Sequence, residues 1–136
     1  MHFQIPEICF ISAYVFGVSD TLNIENHLRL KNELLDKNIG FHIVHGTCKG
    51  VDELSFMVYC DYPAKKDKYY FLAIAKRFNQ EAIVYRDNMR CGYLLFTKNG
   101  DEEKIGLITE ITAEEAGKLE NYSYFPLMDT YLGVKS

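Results

Sequence analysis

The chain has 136 residues, 48% of them hydrophobic and 25% charged. That is the composition of one ordinary globular domain, about two-thirds of whose unfolded surface is buried on folding, and it excludes long disordered regions. A net charge of -4 disfavours nucleic acid as a partner, because nonspecific affinity for a phosphate backbone comes from clustered cations.

From Ile8 to Phe16 the run ICFISAYVF is apolar on both alternating faces, the pattern of a central strand. Gly17, Ser19 and Asp20 supply turn and capping chemistry, and a first helix is expected from about Thr21 to Asn38, with Ile24, Leu28 and Leu35, flanked by Leu34, as its apolar stripe. Asn38 and Gly40 end it. Phe41 to His45 and Leu54 to Cys60 read as a hairpin-like strand pair around the turn-rich Gly46 to Gly50. After Pro63 a second helix is expected from about Lys66 to Asn79, with Tyr70, Ile74 and Phe78 in one stripe and Phe71 and Ala75 beside it. Ala82 to Tyr85 follows as a strand.

Strand, helix, strand, strand, helix, strand is the order of the ferredoxin-like split fold, an α+β sandwich with two helices on one sheet face. Cys91 to Thr97 and Lys104 to Ile111 add a hairpin around Lys98 to Asp101. Thr112 with Glu115 is a capping box for a short helix ending near Asn121. The last segment carries Tyr122, Tyr124, Phe125 and Tyr131, too many apolar groups for a solvated tail. It is expected to pack on its own sheet or to meet a partner protein or a second copy. The whole chain reads as a single domain, with 86–136 as a C-terminal extension.

No basic stretch followed by an apolar one marks a secretion signal, and no run approaches the roughly 20 apolar residues of a membrane span. A cytoplasmic location is therefore expected. Cys9, Cys48, Cys60 and Cys91 form no CxxC pair and are expected as buried, reduced thiols. His42, His45 and Cys48 resemble a metal set, but side chains three apart on a strand face opposite ways, so neither metal nor cofactor is expected. The segment Gly46 to Gly50 lacks the spacing of a phosphate-wrapping loop. The basic cluster Lys65, Lys66, Lys68, Lys76 and Arg77 contains Asp67 and reads as a solvated face.

The segments ISAYVFGVSDTLNIENHLRLKNELLD, ELSFMVYC and LAIAKRFNQEAIVY resemble the DUF3293 family, bacterial and phage proteins of unknown function, over roughly residues 11–85. The matching positions are Ser12, Ala13, Tyr14, Glu25, Asn26, Arg29, Glu53, Ser55, Phe56, Arg77, Phe78, Gln80 and Ala82. Val15 and Phe16 replace the Asn-Pro of that family. Asn79 replaces a Gly and is able to adopt the same left-handed conformation. The resemblance implies a shared fold and a phage or mobile-element setting, and imports no reaction.

The polar set open to a functional reading is Ser12, Tyr14, Asn26, Arg29, Glu53, Ser55 and Gln80. A small anionic or nucleotide-like ligand held by Arg29, Asn26 and Ser12 is one reading. The plain alternative makes Arg29 a surface ion-pair residue, spaced i,i+4 with both Glu25 and Glu33. No local signature marks a catalytic nucleophile. The main expectation is a non-catalytic binding or regulatory protein docking through the tyrosine-rich tail, with a small-molecule binder or enzyme at the polar set as the alternative.

Overall fold

A computed structural model describes residues 5–48, 51–60, 67–119 and 121–135. Lys49, Gly50, Pro63, Lys65 and Lys66, named above, lie outside the described residues, as does the side chain of Cys48. The elements in chain order are β1 (Ile8–Ile11), α1 (Asp20–Asp36), β2 (Phe41–Cys48), β3 (Val51–Tyr59), α2 (Lys68–Arg77) and β4 (Ala82–Arg86). They are followed by β5 (Cys91–Phe96), β6 (Glu102–Ile111), α3 (Ala113–Ala116), β7 (Tyr122–Phe125) and β8 (Thr130–Lys135).

The eight strands close into one antiparallel barrel in the order β1-β3-β2-β7-β8-β6-β5-β4. This overturns the ferredoxin-like sandwich. β1 lies between β3 and β4, but the sheet does not stop at β2 and β4. β5 and β6 extend it from one side, and the aromatic tail folds into β7 and β8, which pair with β2 and β6 and shut the ring. Pairings between strands so distant in sequence leave no local pattern.

Alternation along the strands separates two apolar regions. Ile8, Val44, Met57 and Phe125 are buried inside the barrel with the half-buried Phe10, Tyr59 and Leu132 packed against them, and Phe10 and Phe125 meet edge to face at 6.4 Å. Cys9, Ile11, Phe56, Val58, Ile83 and Leu95 face the other way and pack beneath the helices, against Leu30 and Leu34 of α1 and Phe71, Ile74 and Ala75 of α2. Cys9 and Cys60 are free thiols in this outer core, their sulfurs 3.1 Å apart.

Ser19 caps α1 by accepting the Leu22 N–H, and Asp67 caps α2 by accepting those of Tyr69 and Tyr70. The face that α1 buries is not the expected one. Ile24, Leu28 and Leu35 are exposed, whereas Asn23, His27, Leu30 and Leu34 are buried. Asn38 and Asn79, at φ of 55° and 60°, end the two helices in the left-handed conformation. The capping box of Thr112 and Glu115 forms as the spacing predicts, though its helix ends at Ala116. Among the described residues no helix is long and apolar enough to cross a membrane.

Candidate functional site

β1 ends sooner than its apolar run, because the Ser12 hydroxyl takes the place of a neighbouring strand. It donates to the carbonyl of Leu54 at 2.8 Å and accepts the Tyr14 N–H at 3.0 Å. Since Ile11 stands opposite Phe56, the antiparallel register carries Glu53 to Ser55 past the end of β1 and alongside residues 12–14. Glu53 also stands opposite Gly46 of β2. A Cβ on Gly46 would lie 3.6 Å from Glu53 Cγ and 3.9 Å from Ser55 Oγ. The glycine therefore leaves room on the face where those two polar side chains stand.

The chain after Ser12 is held by amides. Gln80 Nε2 donates to the Tyr14 carbonyl at 2.8 Å. Asn23 accepts the Val15 N–H at 2.9 Å and donates to the Val15 carbonyl at 3.2 Å. Counting Ser12, three side chains from three parts of the sequence satisfy the backbone N–H and C=O of both Tyr14 and Val15. That fixes the main chain that carries Tyr14 relative to β3.

Burial pushes the Glu53 carboxyl above the ordinary carboxylate range. The Tyr14 phenol is also raised, by burial first and then by the negative charges of Asp20 and Glu53. Behind Tyr14 lies His27, 5% exposed. Its ring stacks flat on Phe56 at 4.5 Å and meets the Tyr14 ring edge-on at 6.1 Å. Its Nδ1 is buried without a hydrogen-bond partner. Burial and the nearby Lys31 depress its pKa, so it sits there as a neutral ring.

The structure thus brings Ser12, Tyr14, Glu53, Ser55 and Gln80 together. Asn26 and Arg29 are not part of this cluster. They bond to each other at 3.1 Å on the exposed side of α1, with the Arg29 guanidinium over the Phe78 ring. Glu33 is held by Lys37 and Arg77. Sequence reasoning missed Asn23, His27 and Gly46. The available signal was the spacing of Asn23, His27, Leu30 and Leu34, a helical stripe masked by the more apolar one beside it.

The tail residues part company. Tyr124 and Tyr131 face each other across β7 and β8 at 4.7 Å, with Tyr122 beside Tyr131, on the outside of the barrel. Phe125 points inward and is 6% exposed. At the far end of the barrel an open apolar groove runs between Phe41, Ile43, Leu127 and Met128. Among the described residues no group of three or more His, Cys, Asp or Glu side chains could hold a metal ion.

No curated protein matches the chain. A family model described as the S-Adenosylmethionine lyase family matches residues 9–133, most of the chain, and the protein belongs to that family. This replaces the DUF3293 resemblance. It also overturns the reading of a non-catalytic regulatory or phage accessory protein, since the family is one of enzymes. The short motifs behind the resemblance stop at Tyr85, whereas the family match runs on through β5 to β8.

Proposed function

We propose that the protein is a lyase that breaks a carbon–sulfur bond of S-adenosylmethionine, at the site formed by Glu53, Tyr14 and Ser55. Membership of the lyase family carries this reading. The sulfonium is an activated leaving group: when its γ-carbon is attacked, sulfur departs as the neutral thioether 5′-methylthioadenosine. The nearest nucleophile is the substrate's own carboxylate, and its attack closes a five-membered lactone. One carbon–oxygen bond forms, one carbon–sulfur bond breaks, and the electron pair of the broken bond stays on sulfur.

In that step a negative and a positive charge annihilate each other, so the transition state is less polar than the substrate. A partly dry site favours it over water. What remains for the protein is to fold the substrate so that carboxylate and γ-carbon meet, and to keep water from competing. In this reading Glu53 accepts from the substrate's ammonium group, leaving the reacting carboxylate free, and the Tyr14 phenol supplies a donor beside it. The enzyme acts in the cytosol, where the buried thiols of Cys9 and Cys60 stay reduced.

The test is to incubate purified protein with S-adenosylmethionine in H₂¹⁸O and follow products by mass spectrometry and NMR. The expected products are 5′-methylthioadenosine and a lactone free of ¹⁸O. Unchanged substrate, or S-adenosylhomocysteine as the product, would overturn the reading.

A further inference from the structure

Phe16 is 91% exposed, more than any other large apolar side chain among the described residues. It stands at the corner of a turn closed by the Val18 N–H on the Val15 carbonyl at 3.3 Å, with Gly17 at φ 84° in the third position. That is the arrangement of a type II turn, which calls for glycine there. The mount of this turn is stiff. Val15 is bonded through both its backbone groups to Asn23, itself only 6% exposed, and Ser19 caps α1 directly after the turn. A phenyl ring held out to water on so fixed a support is preorganised for a flat apolar surface, because little motion is left to freeze when one arrives.

The neighbourhood narrows the choice of that surface. Phe16 follows Tyr14 by two residues, at most about 7 Å of backbone, so a nucleoside carrying an amino acid can reach both. No Lys or Arg occurs from Ser12 to Arg29 before Arg29 itself, and Asp20 occupies the first turn of α1. A phosphate would find repulsion at that helix start, and an uncharged nucleoside would not. We propose that Phe16 is the stacking platform for the adenine of the substrate, with Asn23 as the residue that positions it. This rests on the lyase reading for the identity of the substrate. The purine face packs on the ring while the amino-acid end reaches Tyr14 and Glu53.

The experiment compares wild type with Phe16→Ala and Phe16→Trp, measuring adenosine binding by calorimetry and turnover of S-adenosylmethionine. Stacking of a base on an aromatic side chain corresponds to roughly 5- to 150-fold in affinity. Phe16→Ala should raise the Kd for adenosine, and the KM for S-adenosylmethionine, within that range, with kcat little changed. Phe16→Trp should restore both. At so exposed a position neither variant should lower the melting temperature, and Phe16→Trp decides the matter if Phe16→Ala does. Equal adenosine affinity in wild type and Phe16→Ala, or no adenosine binding by wild type, overturns the platform. A wild type that binds adenosine through Phe16 but leaves S-adenosylmethionine intact upholds the platform and refutes the lyase reading.

Discussion

Gln80, beyond the end of α2, reaches 66 positions back along the chain to donate its amide hydrogen to the carbonyl of Tyr14 at 2.8 Å. One helix end thereby holds the main chain of the loop after β1. Gln80→Ala should cost about 1 kcal/mol of stability, the usual net worth of such a bond. It should also lower kcat/KM, because Tyr14 loses its fixed position. Gln80→Glu should be worse on both counts, since a carboxylate oxygen would face a carbonyl. Urea unfolding and steady-state kinetics on the same preparations check this.

Glu53 makes a prediction whose sign follows from its raised pKa. The folded state holds the Glu53 proton more tightly than the unfolded chain, whose carboxyl titrates near 4.5. Its contribution to stability is therefore full below about pH 4.5 and is lost as the pH rises through the folded value. Glu53→Gln should melt higher than wild type at pH 7, with the gap closing near pH 4, while losing lyase activity. A cation bound beside Glu53 lowers its pKa, so at a pH low enough for the free protein to hold that proton, substrate binding should release it, detectable as a buffer-dependent enthalpy.

His27 acts in the opposite direction. Its folded pKa lies below the 6.5 of a free imidazole. As the pH falls below 6.5 the unfolded chain takes up a proton that the folded protein refuses, and stability declines until the folded pKa is reached. His27→Phe keeps a flat ring on Phe56 and removes the unpartnered Nδ1. It should flatten the fall in melting temperature between pH 7.5 and 5.

Gly106 stands in the barrel wall at φ 122°, where a Cβ would come within 2.8 Å of the Lys135 carbonyl oxygen. Gly106→Ala combines a disfavoured backbone with a contact that cannot yield, because the obstacle is main chain of the paired strand β8. A loss of about 1–3 kcal/mol is expected, read as a shift in the urea midpoint at unchanged slope.

Local structure was largely legible in the sequence. β2 to β6 overlap the expected strands, and the caps at Ser19 and Thr112 form as their spacing predicts. What failed was local periodicity used to infer long-range pairing. Tyr122–Phe125 and Thr130–Lys135 are only four and six residues long, and the first carries aromatics on both faces, so they read as a sticky tail rather than as the strands that close a ring. Ser12 was legible as a hydroxyl in an apolar run, which requires partners and finds them in Leu54 and Tyr14, whereas Glu53 and Gln80 entered only through the DUF3293 resemblance. Asn23 was not legible, because a buried asparagine on a helix is indistinguishable in sequence from a solvated one. Arg29 entered through the resemblance and as a guanidinium donor for an anion, yet it sits at the surface with Asn26.

The closed ring has a consequence for how this protein can meet others. Each of its strands has a neighbour on both sides, so no strand offers a free edge along its whole length to template the strand of another chain. Fibre growth by edge-to-edge addition along a whole strand first requires the ring to open. Aggregation should therefore follow opening of the seam between β2 and β7 or between β6 and β8, the pairings through which the last strands of the chain shut the ring.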